Sequence, residues 1–497
     1  MESWFGREGE EREDIFTEDS VESIEREDSF VDESTSFSGG FGVGEISYSP
    51  AVSVLYATCF EAENDVLQVG DRRLTWWEDF SVVPKHDFML VNPLTWSQQA
   101  TVPEDLTEGV LGADLSDQFV FADSGGFQVK TFEGTCVVDS PDLHDFEKMQ
   151  VMPEKLLEWQ VKNATAGAIL DFPPYRVDAN SGGTEGIDGM NMESWGREVF
   201  TPNLQQSTEN ARRAAAHREK IGADDFLLYN VLHGMIPFGE EEPYRYVKEW
   251  HSQISEVGDF DGWCVGVDSG NIGKLALFLG FIDEHIDDAS HLHFLGTSAI
   301  PARVVLEYWR NFSKDDFAIT LDSTGFEVGS QYRSFFNPLL HGEGVMVSDR
   351  EPNDPDKFSI SEGSVPCSCA VCGHMSRVRG PDWPFKEKTA TEGVAMNLHN
   401  LNMLLQRHRM VEGMFQSAGS GVVDDFERDS STVWKILGRL FSDESLVELY
   451  ECMKFLRRVD NDGFYSAVDD FRFFSKYDPD RSGTLVSEKT VGGFSDW

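Results

Sequence analysis

The chain has 497 residues, 40% of them hydrophobic, which is too long for one small domain and enough for a large core. Its 88 acidic and 41 basic residues give a net charge of −47, an imbalance that bears on solvent and partners rather than on fold. No run approaches the roughly 18 apolar residues of a membrane helix, and the N-terminus has neither the basic start nor the apolar stretch of a secretion signal. A membrane protein is therefore not expected, and the expectation is a soluble, cytoplasmic one. The acidity fits molar intracellular salt, that is, a halophilic source. At about 1 M salt the Debye length falls to roughly 3 Å, so neighbouring surface carboxylates scarcely repel one another.

In chain order, residues 1–45 open with 14 acidic and three basic residues before Ser34 and continue into the Ser/Gly-rich STSFSGGFGVG, the composition of a solvated tail. From 46 to 412 short apolar runs alternate with amphipathic stretches. The runs at 53–57, 88–92, 118–123, 167–172, 226–234, 263–268, 292–297 and 317–323 read as strands. Helical stretches lie between them: one opens at Pro153, one stops before Gly222, and two open at Pro243 and Pro301. Repeated strand–helix alternation predicts an α/β fold with a parallel sheet, and eight strands favour a (β/α)8 TIM-like barrel over an open sheet. Residues 413–497 read as an acidic helical extension.

Five of these strands end in Asp123, Asp171, His233, Asp268 and Asp322. In a (β/α)8 barrel the catalytic groups gather at the C-terminal ends of the strands. A single Asp there is as readily a helix N-cap, but four converging carboxylates make a site. Asp123 opens DSGGFQV, where the glycines let backbone approach a flat ligand and Phe127 can stack on a base.

Seven cysteines are present, an odd count that argues for a metal site over a disulfide framework. Cys367, Cys369 and Cys372, with His399 27 residues after the last of them, make a closed tetrahedral zinc set of the structural kind, in a subdomain at about 360–412. His374 is the rival fourth ligand, but its spacing from Cys372 is cramped.

FADSGGFQV, ILDFPPY, LYNVLHG, WCVGV, FLGTS, LDSTGFEVGSQYR and CSCAVC…LHNL stand in the order of the motifs of the tRNA-guanine transglycosylase family, across about residues 88–410. The chain resembles the archaeal branch of that family, whose fold is an irregular (β/α)8 barrel with a zinc subdomain. By position, the resemblance implies that Asp322 is the nucleophile that attacks C1′ of the target nucleoside and that Asp123 is the general acid and base. It implies that Asp171 holds the guanine edge and that Gly266 lines the pocket with backbone. Phe127, Ser124, Gln128 and His233 complete the substrate-binding set. The family commonly has Gln where this chain has His233, and Asp268 is unusual for it.

Archaeal tRNA enzymes of the family usually end in further RNA-binding domains, whereas this chain ends in acidic helices. That resembles the shortened relatives that insert 7-deazaguanines into DNA. DNA is therefore the favoured polynucleotide and tRNA the alternative, with a free 7-deazaguanine such as preQ0 as the incoming base. The remaining alternatives are a non-catalytic nucleic-acid-binding partner subunit and, more remotely, a glycosidase; a homodimer is compatible with either role. Arg377, Arg379, Lys386, Lys388, Arg407 and Arg409 against Asp382, Glu387 and Glu392 make a net +3 stretch suited to phosphate contacts. DPDRSGTLVSEK at 478–489 starts like a calcium loop but has Lys489 where a bidentate Glu belongs.

Overall fold

The computed structural model describes chiefly residues 105–111, 119–126, 150–174, 192–233, 244–266, 272–286, 291–297, 300–310, 317–323, 369–383 and 390–418, with short strand segments elsewhere between 46 and 360. The acidic tail, the helices expected beyond 418, the calcium-like loop and Phe127, Gln128, Asp268, Lys386 and Lys388 lie outside the described residues.

One sheet organises the fold. Its strands are β1 (Ile46–Pro50), β2 (Phe88–Val91), β3 (Phe119–Ala122), β4 (Ala166–Ala168), β5 (Leu227–His233), β6 (Gly262–Gly266), β7 (His291–Phe294) and β8 (Ala318–Ser323). They pair in the order β1-β8-β7-β6-β5-β4-β3-β2, and every pairing is parallel. The two edges, β1 and β2, come within 8 Å of each other between Cα atoms. The chain is thus α/β with a curled parallel sheet. Seven of the eight strands fall where the apolar runs place them. The first does not: it is Ile46–Pro50, and 53–57 lies outside the described residues. In ISYSP, Ile46 and Tyr48 are buried and serines stand between them, a period-two pattern easily passed over beside a longer apolar run.

Five helices make the crossovers between consecutive strands from β3 to β8: α1 (Pro153–Asn163), α2 (Met192–Ile221), α3 (Arg245–Ser255), α4 (Ile272–His285) and α5 (Ile300–Arg310). Pro153 sits at the start of α1, where a missing N–H costs nothing. Gly222 ends α2 at φ +67°, the left-handed turn glycine takes without strain. α3 buries Tyr246, Val247, Trp250 and Ile254, a one-sided spacing that seats it on the sheet. Helices against strands leave no wet face: all four residues of β3 and all four of β7 are buried. A buried pair, Arg303 and Glu307 at 2.5 Å on α5, also reaches the Ile46 carbonyl and so ties α5 to β1.

After the sheet come three short strands, β9 (Ser334–Phe335), β10 (Val345–Val347) and β11 (Ser359–Ile360), then α6 (Ala370–Arg379) and α7 (Ala390–Ala418). α7 packs on α5 and runs unbroken past residue 412. Among the described residues, no helix is long and apolar enough to cross a membrane.

Candidate active site and metal centre

The two-residue period of a strand sets Phe119, Phe121 and Asp123 on one face, with Tyr229, Val231 and His233 on β5 and Thr320 and Asp322 on β8. Asp123, Asp171, His233, Gly266 and Asp322 all stand at or just beyond C-terminal strand ends. Burial pushes the Cys264 thiol in mid-β6 well above its ordinary range, and the charges of Asp123, Asp171 and Asp322 add to that push. Sequence reasoning missed Cys264, which offered no signal beyond lying inward on a strand.

Asp171 is held from two sides. Ser124 Oγ donates to its Oδ1 at 2.6 Å, and His233 Nε2 stands 2.6 Å from its Oδ2. Ser124 Oγ in turn accepts from the Gly126 amide at 3.0 Å. A side chain at Gly126 would put Cβ 2.3 Å from the Asp171 carbonyl oxygen, so the DSGG turn can close on Asp171 only with glycine there. Beside it, a Cβ at Gly266 would lie 2.5 Å from His233 Nδ1. The glycine leaves room for the imidazole, whose Nδ1 is buried without a hydrogen-bond partner among the described residues. Trp250 of α3 sets its ring edge-to-face against His233 at 4.9 Å and donates to the Val231 carbonyl at 2.8 Å.

The segment carrying Asp171 is fixed by side chains the sequence reading did not single out. Asn203, Ser207 and Asn210 recur on one face of α2. Asn203 Nδ2 donates to the Pro173 carbonyl at 2.6 Å, Ser207 Oγ accepts from the Phe172 amide at 2.8 Å, and Asn210 Nδ2 donates to the Leu170 carbonyl at 3.0 Å. Gln160 of α1 donates to the Ala168 carbonyl at 2.9 Å and the Ala122 carbonyl at 3.3 Å, joining the ends of β3 and β4. A buried polar stripe on an otherwise apolar helix face was the available signal.

Asp322 is almost wholly buried. Gly296, at φ +64° in the turn after β7, donates its amide to Asp322 Oδ1 at 2.7 Å. Burial and the nearby Asp123 carboxylate push the Asp322 carboxyl up to about 8, against that hydrogen bond.

Cys367, Cys369, Cys372 and His399 offer ligand atoms that all lie within 4.8 Å of one another, a group that could hold a metal ion. His374 is not part of it. His399 Nδ1 is 3.4 Å from Cys369 Sγ and 3.3 Å from Cys372 Sγ, near the roughly 3.5 Å edge between N and S of a tetrahedral zinc site. His399 Nε2 donates to the Phe336 carbonyl at 2.9 Å, the tautomer whose Nδ1 lone pair can ligate a cation. The Cys372 amide points at Cys369 Sγ from 3.5 Å and the Cys369 amide at Cys367 Sγ from 3.4 Å, donors suited to thiolates. The donor set fits zinc.

Of the basic stretch, Arg377 and Arg379 are exposed, Arg379 lying 3.7 Å from Glu392, and Arg407 stacks over the Phe336 ring at 5.4 Å. No family model matches this chain, and no curated protein matches its sequence.

Proposed function

We propose that this chain is a base-exchanging transglycosylase of the tRNA-guanine transglycosylase type, which removes guanine from a polynucleotide, DNA in preference to tRNA, and installs a 7-deazaguanine such as preQ0. The carrying observation is the placement of Asp123, Asp171 and Asp322 at or just beyond the C-terminal ends of three strands of one parallel sheet, with Asp171 held by Ser124 and His233. The fold that suits this is a closed (β/α)8 barrel. A strand order that runs through all eight, with consecutive strands β1 and β2 as its edges, supports that closure.

In this reading Asp322 attacks C1′ as the C1′–N9 bond breaks, and Asp123 gives its proton to the departing guanine. The product is a glycosyl ester. Asp123 then takes a proton from the incoming base, whose nitrogen attacks C1′ and returns Asp322 as a carboxylate. Two inversions retain configuration at the sugar. Asp171 accepts from N–H groups of the base edge; a carboxylate has about four acceptor positions, so the bonds to Ser124 and His233 leave capacity for these. The target nucleotide must leave its stack to enter. Zinc, bound by Cys367, Cys369, Cys372 and His399, would fix α6 to α7 and take no part in the exchange.

The test is incorporation of radiolabelled guanine into DNA and, in parallel, into tRNA at molar KCl. Label in DNA that disappears with Asp322→Ala supports the reading; label in tRNA alone reassigns the substrate. Label surviving Asp322→Ala overturns the nucleophile. Absence of label with either polymer leaves the binding-subunit alternative.

A further inference from the structure

Beneath the carboxylates runs a line of polar side chains for which the exchange reaction has no stated use. Tyr229 of β5 sends its hydroxyl to His291 Nδ1 on β7 at 2.5 Å. His291 Nε2 lies 2.9 Å from Thr320 Oγ1 on β8, and the same oxygen lies 2.7 Å from His293 Nδ1. His293 Nε2 stands 3.6 Å from Asp322 Oδ1. Tyr229 reaches across β6 because the residue between is Gly262, where a Cβ would come within 3.0 Å of the tyrosine ring.

The direction of this line follows from its far end. A fully buried phenol keeps its proton, burial raising Tyr229 well above its ordinary range, and a buried O–H must find an acceptor. Its partner is His291 Nδ1. Burial holds both histidines neutral, His291 well below its usual value and His293 down to about 3. With Nδ1 accepting, His291 carries its hydrogen on Nε2 and donates to Thr320. The threonine hydroxyl then donates to His293 Nδ1, so the hydrogen of His293 sits on Nε2, facing Asp322. Phe121 stacks on the His293 ring at 4.2 Å and 20°, holding its plane and keeping water away.

We propose that His293 is a positioning residue for Asp322: the line from Tyr229 through His291 and Thr320 fixes the tautomer that presents an N–H to the nucleophile's carboxylate. The inference rests on the reading of Asp322 as nucleophile. At 3.6 Å the donor stands just outside ordinary hydrogen-bond range, and a movement of about half an ångström engages it. An N–H facing a carboxylate favours its charged form. Once engaged, it offsets part of the upward push that burial and Asp123 give the Asp322 carboxyl, and it stabilises that group as the leaving carboxylate of the second displacement. Among the described residues, the titratable groups that bear on Asp322 are Asp123 from the end of β3, Cys264 of β6 and His293 of β7.

The experiment compares the full-length protein with Thr320→Val, which cuts the line without touching Asp322, and with His293→Gln, which retains a donor. Exchange against pH is one readout, trapped covalent adduct a second, and the infrared titration of the Asp322 carboxyl, identified by subtracting Asp322→Asn, a third. A hydrogen bond to a charged group corresponds to about one to two pH units. Thr320→Val is expected to move the acid limb and the carboxyl titration upward by that amount and to let adduct accumulate, and His293→Gln to restore part of the shift. An unmoved titration in folded Thr320→Val overturns the proposal. Should the wild type form no adduct and exchange no base, the nucleophile reading fails, while the infrared titration still decides whether the line acts on Asp322.

Discussion

The strand-end carboxylates and the cysteine cluster are both polar groups gathered in a largely apolar setting, and they are built in opposite ways. Around Cys367, Cys369, Cys372 and His399, every donor atom lies within 4.8 Å of the others, and the second nitrogen of the histidine is already committed to Phe336. Such a group is suited to closing around a single cation. At the strand ends, acids are set beside acids. Burial and the Asp123 carboxylate drive the Asp322 carboxyl up to about 8, against hydrogen bonds from the backbone amides of Gly296 and Asp322 itself. That arrangement suits a visitor which brings hydrogen-bond donors and leaves again. One cluster is built to close on a cation, and the other sets a buried acid against a neighbouring charge.

The largest expected effect separates the two. Asp322→Ala should cut base exchange by at least about ten-thousand-fold and abolish the covalent adduct on a denaturing gel, with metal content per chain unchanged. Cys372→Ser should do the converse and lower bound zinc, measured by elemental analysis. Structural zinc contributes roughly 10–16 kcal/mol of apparent binding free energy in small domains, so thermal unfolding should also fall markedly. Wild-type melting temperature after chelation should match that of the variant. If it does not, the cluster is not a structural zinc site.

A smaller effect has a definite sign. The Asp322 carboxyl titrates higher folded than unfolded, so the folded state binds the extra proton and stability falls as pH rises from about 4 to about 8. Asp322→Asn removes that charge. Its stability should equal the wild type near pH 4 and exceed it by an amount on the order of a few kcal/mol above pH 8, read from denaturant unfolding across pH. A constant difference at all pH values would mean that charge is not the cause. Ser124→Ala is the mildest change. Losing one hydrogen bond to Asp171 should cost about 1–3 kcal/mol, appearing mainly as a higher KM for the incoming base.

The sequence alone determined the alternation of strands and helices from the second strand on, because those buried parallel strands are apolar runs and the crossover helices between them are amphipathic. It also picked out the acids at strand ends and the metal-ligand spacing, since these depend on residue type and register within a few positions of the chain. Everything that crosses between strands came from tertiary structure. Asp322 accepting from the Gly296 amide, Tyr229 meeting His291 over Gly262, and the Asn203–Ser207–Asn210 stripe gripping the Asp171 segment all join residues distant in sequence. A side chain's partner across a sheet is set by strand order and register, and neither is written in local periodicity.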